Sequence, residues 1–414
     1  MDKLKLYGIP DSQEIYPIRD FLKRSVVDFD WFDISHDELG NSQEITKYDN
    51  PQKHPVIEFP DGKIIINPSL EEIACNLGWI TQPKYDEYDL SIYGAGPAGL
   101  SAAVYAASEG LKTILIEREA VGGQAGTSSL IENYLGFPKG ISGANLAERA
   151  RQQALKFGVE ILLLKEGIKG TFYDNKIHVD FASGEKLVAK ANICATGVEY
   201  ARLNLPDEER FFHKGVYYGA GASEAFFCQD KDLYIVGGGN SAGQAATYFS
   251  GFAKRVFMVI RRGNLAETLS DYLIQRIASI KNIFVLYHSQ VVALEGEDYL
   301  QRIKIMDSEK GIESWHETSK LFICIGGKPN TEWASETAIC RDRNGYLYTG
   351  NDVMAQDQYK TCWELDRPPF HLETSVPGSF AAGDVRFNSV KRVASAVGEG
   401  AMAVTQVHQY LSKL

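Results

Sequence analysis

Two stretches of the chain share one pattern: a short apolar run, a cluster of glycines, an Ala-rich segment and a second apolar run. In the first, Asp89 to Arg118 reads DLSIYGAGPAGLSAAVYAASEGLKTILIER. Leu90 to Tyr93 predicts a buried strand, Ser101 to Ser108 a helix of small residues that can press on a sheet, and Thr113 to Ile116 a second strand. The second stretch, Asp232 to Arg262, reads DLYIVGGGNSAGQAATYFSGFAKRVFMVIRR, and at an offset of 143 residues Asp89 falls on Asp232, Gly94 on Gly237 and Gly96 on Gly239. One βαβ unit is therefore predicted twice.

Ahead of both lies a region of different patterning, residues 1–82. Leu4 to Tyr7 predicts a strand, Glu14 to Ser25 an amphipathic helix and Asp28 to Ile34 a second strand. Val56 to Phe59 and Lys63 to Ile66 predict a hairpin across Pro60, Asp61 and Gly62. Ser69 to Leu77 closes the region as a helix, with Ser69 at the N-cap and Glu71 and Glu72 in the first turn. A linker, Ile80 to Asp86, follows, and the chain finishes on a helix, Glu399 to Leu411. The fold class is α/β.

The glycines give the repeated unit its chemistry. Gly94, Gly96 and Gly99 form GxGxxG where strand turns into helix: the first permits the tight turn, the second lets a pyrophosphate approach, and the third lets helix pack on strand. With Pro97 and Ala98 they open a helix whose N-terminal N–H groups suit phosphates. Glu117, 23 residues after Gly94, ends the second strand, where a carboxylate accepts from ribose hydroxyls. The second unit offers Gly237, Gly239, Asn240, Ser241 and Ala242 at its turn. Its counterpart of Glu117 is Arg261, followed by Arg262; paired guanidiniums bind a 2′-phosphate where an acid would repel it. A plain adenosine ribose is expected in the first unit and NADP(H) in the second.

Composition narrows the class. The 414 residues suffice for two or three domains, and 44% hydrophobic with 23% charged residues is a globular balance. No apolar run approaches a membrane span and the N-terminus lacks a signal-peptide core, so a cytoplasmic enzyme without membrane contact is expected. A formal net charge of −11 argues against nucleic acid as a partner. Residues 1–82 carry −7 of it, from fifteen acidic against eight basic side chains. Cys75, Cys194, Cys228, Cys324, Cys340 and Cys362 are scattered, with no CxxC, metal spacing or disulfide framework.

Together with the first glycine turn, the motifs from Gly122 onward become specific. GxGPAG, GGQ, IENYxGFP, the ATG of Ala195, Thr196 and Gly197, GGGNS, IGGKPNT and the AAGDV at Ala381 to Val385 follow one another in the order found in low-molecular-weight thioredoxin reductases, which residues 86–414 resemble. The resemblance implies two nested Rossmann-like dinucleotide-binding domains: an FAD domain, 86–203 with 326–414, around an NADPH domain, 204–325. It implies FAD contacts from Arg118, Gly123, Gln124 and Asn133, and from Gly383 with Asp384 at the ribityl chain. Lys391, Arg392 and Val393 align with the segment at the flavin pyrimidine edge, where helix N–H dipoles and a cation stabilise the reduced ring. Arg392 supplies that cation only if it points inward; a surface position is the alternative. A homodimer is also implied.

Two departures stand against the resemblance. In thioredoxin reductases a CxxC lies beside the flavin, whereas here Gly215 to Ala225 reads GVYYGAGASEA, and Gly219 and Ala222 stand where the cysteines belong. Without a dithiol no residue there takes two electrons, and Gly219 to Ala222 is expected to leave an open face beside the isoalloxazine. The basic cluster for the 2′-phosphate is also incomplete, with Ala266 in place of a third Arg. Residues 1–82 in turn resemble the glutaredoxin and thioredoxin fold, with Pro55 at the position of the family's cis-proline, where an ordinary trans-proline fits equally. Its redox pair would fall at Ser12 and Ile15, so no disulfide exchange is expected there.

These features imply an FAD enzyme that takes hydride from NADPH and passes electrons from the flavin directly to an external acceptor, small molecule or redox protein. Alternatives are an FAD- and NADP(H)-binding sensor signalling through its N-terminal domain, and a ferredoxin or flavodoxin reductase-like enzyme. The latter branch carries a C-terminal extension, and none is expected after Leu414. Leu203 to Asp207 is a candidate hinge. Asn351 to His371 reads either as a partner-facing loop or as a packed surface excursion.

Overall fold

The computed structural model describes residues 3–10, 12–34, 54–79, 82–219, 221–356, 363 and 365–414, apart from the Ala222 side chain. The chain divides into two compact units, one of residues 1–73, 127–130 and 200–326, the other of 74–126, 131–199 and 327–414. Among the described residues no helix is long and apolar enough to cross a membrane.

The N-terminal region forms a four-stranded sheet in the order Phe29–Asp33, Leu4–Gly8, Val56–Glu58, Ile64–Ile66. The first two strands are parallel and the rest antiparallel. Helix Ile15–Arg24 makes the crossover between the parallel pair and buries Ile15, Ile18, Phe21 and Leu22, the i, i+3, i+4 face that the sequence marks out. Helix Leu70–Asn76 starts on a reciprocal cap: Ser69 N–H donates to Glu72 Oε2 at 2.9 Å, and Glu72 N–H donates to Ser69 Oγ at 3.1 Å. The peptide before Pro55 is trans.

In the same unit, five parallel strands lie in the order Val216–Tyr218, Leu321–Ile323, Asp232–Val236, Arg255–Val259, Ile283–Leu286. Helix Asn240–Phe249 connects the two central strands of the repeat. Ahead of Leu321 the chain inserts an antiparallel sheet, Ser289–Gly296, Leu300–Asp307 and Ile312–Glu317. Its outer strand is largely exposed, so it lacks the strict alternation that announces a strand.

The other unit is built on a seven-stranded sheet running Glu160–Leu163, Thr113–Glu117, Tyr88–Tyr93, Lys186–Cys194, Lys176–Phe181, Gly167–Tyr173, with Ser379–Ala381 also paired to Lys186–Cys194. Strands around Tyr88–Tyr93 are parallel, and the 167–194 meander is antiparallel. Helices Pro97–Ser108 and Val393–Leu411 cross closely: a Cβ on Gly400 would lie 2.2 Å from the Ala98 carbonyl oxygen. Small residues on both helices permit this approach, and the buried Ala98, Ala102, Ala103 and Ala403 form the packed face. The first helix begins at Pro97, with proline's fixed φ at the first turn, four residues before the sequence expectation. The last begins at Val393, six residues early, because Gly398 and Gly400 weaken the helical signal without ending the helix.

Candidate functional site

The first glycine turn is held from three sides. Gly94 adopts φ +100°, and a Cβ there would sit 2.4 Å from the Ala195 carbonyl oxygen; one on Gly99 would sit 1.8 Å from the Gly94 oxygen. Only glycine fits either position. Gly96 differs, since its nearest neighbour would be Gly123 Cα at 4.0 Å, leaving a shallow cradle at the helix start. No side chain caps that helix. Glu117 returns to the same turn: it is 8% exposed, its Oε2 accepts from Ala95 N–H at 2.7 Å and its Oε1 from Glu119 N–H at 2.9 Å.

Other predicted residues gather around this turn. Gly383, at φ +80°, would place a Cβ 3.0 Å from Ala98 Cβ, which brings the loop of Asp384 to the helix start. Burial raises the Asp384 carboxyl pKa, with Lys391 opposing and Glu399 reinforcing the shift. Lys391 Nζ donates to the Asp384 carbonyl at 2.5 Å and to Ser389 Oγ at 2.8 Å, while burial lowers its own pKa. Thr196 Oγ1 donates to the Asn330 carbonyl at 3.0 Å, Asn330 N–H donates to the Gly197 carbonyl at 3.2 Å, and Gln124 Nε2 donates to the Val198 carbonyl at 2.8 Å. Arg118 pairs with Glu199 at 2.6 Å; burial works against its charge, yet Glu199, Glu119 and Glu117 carry its pKa above the ordinary value. Asn133 is exposed. Arg392 takes the exposed alternative, ahead of Val393, and among the described hydrogen bonds its guanidinium donates only to the Lys391 carbonyl, at 3.3 Å.

One pair here escaped the sequence reading. Arg386, 8% exposed, donates to Glu399 at 2.7 and 3.2 Å, and Glu399 Oε2 accepts from Gly383 N–H at 2.7 Å. The pair fixes the Gly383 turn from behind. Its signal was present in the charged residue that follows AAGDV and in the acid inside a helix otherwise built of small residues.

The second turn repeats the geometry. Gly237, at φ +138°, would place a Cβ 2.4 Å from the Cys324 carbonyl oxygen, whereas a Cβ on Gly239 would meet nothing within 4 Å. Asn240 Oδ1 accepts from Ser270 N–H at 2.8 Å, Ser241 is exposed and Ala242 is buried. Arg261 and Arg262 follow strand Arg255–Val259 and are both exposed. Arg262 is paired with Glu267, whose Oε1 accepts from Asn264 Nδ2 at 3.0 Å and whose N–H donates to Asn264 Oδ1 at 3.2 Å. Among the described residues Arg261 has no ion-pair partner. Ala266 is exposed beside them.

The expected open face at Gly219 to Ala222 needs correction. Gly219 has φ +86°, and a Cβ there would lie 2.6 Å from Tyr200 Oη; Gly221 has φ +52°, and its Cβ would lie 2.4 Å from Phe322 Cε1. The space beside each glycine is thus taken by an aromatic ring. Tyr200 Oη lies 3.2 Å from Thr127 Oγ1, and burial pushes the phenol up to about 12. Ala220 lies outside the described residues. Ala222 begins the turn of 3₁₀-helix Ala222–Cys228, and Cys228 is buried among Tyr217, Phe249 and Phe322. Cys194, Cys324 and Cys340 are also buried, Cys75 is exposed, and burial pushes the Cys194 and Cys324 thiols up to about 12. Cys362 lies outside the described residues.

Leu203 N–H donates to Tyr218 Oη at 3.2 Å and Leu205 N–H to Glu208 Oε2 at 3.1 Å, so the Leu203 to Asp207 segment is pinned within its unit. Of Asn351 to His371, helix Asn351–Ala355 and the 365–371 end are described, with Trp363. There Arg367 donates to the fully buried Glu373 at 2.6 and 2.9 Å, which makes this end a packed excursion.

One parallel and one mixed sheet, each with a glycine turn opening a helix, define an α/β protein of Rossmann-like dinucleotide-binding domains. The pattern of the pyridine nucleotide-disulphide oxidoreductase family matches residues 88–400. The thioredoxin reductase of Bacillus subtilis (strain 168) is 34% identical over 330 residues, covering 79% of this chain and 96% of its own. That of Chlamydia trachomatis is 32% identical over 330 residues, covering 78% and 98%. Thioredoxin reductase crystal structures from Lactococcus lactis and T. acidophilum superpose with TM-scores of 0.70 and 0.69 at 28% identity, over 79% and 78% of this chain and 100% and 99% of theirs. The chain belongs to the thioredoxin reductase-like family of pyridine nucleotide-disulphide oxidoreductases, whose members bind FAD and use NADPH. Residues 1–87 lie outside the family match.

Proposed function

We propose that this oxidoreductase takes reducing equivalents from NADPH and passes them from FAD to an external acceptor without an internal dithiol. The observation that carries this reading is the glycine at position 219, with left-handed backbone and Tyr200 against it, where the resemblance to thioredoxin reductases implies a cysteine. In support, four of the five described cysteines are buried.

The residues fit the two nucleotides. The cradle at Gly96 and Gly123, with the uncapped helix after it and buried Glu117, suits the ADP half of FAD. In this assignment Gly94, Pro97, Ala98, Ala195, Thr196 and Gly197 shape that cradle, Gln124 and Asn133 approach the ring, and Gly383 with Asp384 holds the ribityl chain. Lys391, exposed like Arg392, is the cation whose charge acts on Asp384. The open position at Gly239, beside Asn240, Ser241 and Ala242, suits the pyrophosphate of NADPH, and Arg261 with Arg262 its 2′-phosphate. FAD, when bound, supplies the hydride-accepting and electron-donating chemistry; the chain supplies position and electrostatics.

The proposed domains are a glutaredoxin- or thioredoxin-like domain without redox cysteines over 1–82, the FAD domain over 86–203 and 326–414, and the NADPH domain over 204–325. The βαβ then ββα order of the N-terminal sheet supports the first of these. A homodimer is proposed on the family likeness. Anaerobic titration with NADPH, followed by mixing with quinones, ferredoxin, flavodoxin, thioredoxin and oxygen, tests the function. Full flavin reduction with turnover on at least one acceptor is expected. Thioredoxin reduction at rates ordinary for the family, surviving Cys228→Ser, would overturn the reading.

A further inference from the structure

Three charged side chains meet inside the unit that contains the N-terminal sheet. Arg19, 2% exposed on helix Ile15–Arg24, is paired with Glu224 of the 3₁₀-helix Ala222–Cys228. Glu224 Oε2 accepts from Lys320 Nζ at 3.0 Å, and that ammonium also donates to Tyr217 Oη at 3.0 Å. Glu224 and Lys320 are both fully buried. A buried carboxylate between two cations is costly to disturb, because losing a partner leaves a charge without water or counter-charge.

Around this cluster lies a built interface. Tyr16 packs against His213 at 4.1 Å and Tyr217 at 5.3 Å between ring centroids. Trp31 meets Phe227 edge-on at 5.7 Å, and the Arg19 guanidinium lies 4.2 Å from the Phe227 centroid. At the rim, Ser223 Oγ donates to Asp20 at 3.3 Å and Gln13 Nε2 to the Phe212 carbonyl at 2.9 Å. Tyr, Trp and Arg anchors around a desolvated centre are what a stable docking surface requires.

We propose that the N-terminal domain is an internal cap, docked through Arg19 on residues 222–228, that closes this segment to protein electron acceptors and leaves delivery to small ones. The proposal rests on the direct-transfer reading above. Each NADPH oxidised delivers two electrons: one quinone takes both with two protons to become a hydroquinone, or two ferric cytochromes c take one each and become ferrous.

The test compares the full-length, FAD-loaded wild type with Arg19→Met and Lys320→Met. Arg19→Met leaves the Glu224–Lys320 pair balanced but frees the cap; Lys320→Met leaves the Arg19 link in place. Arg19→Met is expected to speed amide hydrogen exchange at least tenfold over 15–24 and 222–228. It should also raise cytochrome c reduction severalfold with quinone turnover unchanged, and Lys320→Met should not raise it. If Arg19→Met does not fold, Trp31→Ala loosens the rim and carries the same two readouts. Unchanged exchange, or faster exchange with no gain on cytochrome c, overturns the cap. Failure of the wild type to turn over with any acceptor overturns the direct-transfer reading instead, and the exchange result still decides the docking.

Discussion

Tyr200 occupies the volume that a side chain at Gly219 would need: its hydroxyl would lie 2.6 Å from a Cβ there, and Gly219 sits at φ +86°. Position 219 is therefore set by conformation and by packing together. Gly219→Ala is expected to destabilise the protein by roughly 1–3 kcal/mol, from left-handed strain and displacement of the ring. Urea unfolding of Gly219→Ala, alone and with Tyr200→Ala, measures the coupling. A strictly additive pair would show that the ring does not press on this site.

Acid should weaken the contact between the N-terminal helix and residues 212–217. Burial holds the His213 pKa down at about 4, with Glu224 raising and Arg202 lowering it. The unfolded chain has an ordinary value near 6.5, so between these values it binds more protons than the folded one. The contribution is present above about pH 6.5 and is lost as pH falls toward about 4. Hydrogen exchange at 15–24 should accelerate from pH 7 to 5 beyond its intrinsic pH dependence. His213→Asn, tolerable at φ +63°, should flatten that excess. An equal excess in the variant would place the pH response elsewhere.

Where local pattern determines structure, the sequence was readable. Both glycine turns, the strands beside them, the succession of N-terminal strands and helices and the Ser69 cap follow from periodicity and short-range chemistry. The Arg386–Glu399 pair and the Arg19–Glu224–Lys320 cluster were not, because they join residues 13, 205 and 96 positions apart whose meeting depends on tertiary packing. The face at Gly219 was misjudged for the same reason: small residues in a sequence do not say what fills the space beside them, and here it is Tyr200. Val393–Leu411 was shortened because glycines lower helix propensity, while close packing on Pro97–Ser108 demands them.

The nucleotide preference turns on a contact that the motif did not disclose. Arg262 is engaged by Glu267, and Asn264 fixes that carboxylate from both its side chain and its backbone. Under the proposed placing of NADPH at the second turn, a 2′-phosphate competes with this carboxylate for the guanidinium, and like charge repels it. Under the assignment of NADPH to the second turn, Arg261→Glu with Arg262→Ala should remove one or two charge-assisted contacts, each about 1.5–3 kcal/mol, and with them the preference for NADPH over NADH. Glu267→Gln should act in the opposite direction, tightening NADP⁺ while leaving NAD⁺ unchanged. Because Glu267 is exposed, the gain should be modest and should shrink with added salt. Equilibrium titration of each variant with NADP⁺ and NAD⁺ reads both effects. Loss of preference in the double variant with no gain in Glu267→Gln would leave the arginines in place as the phosphate site and remove Glu267 as their competitor.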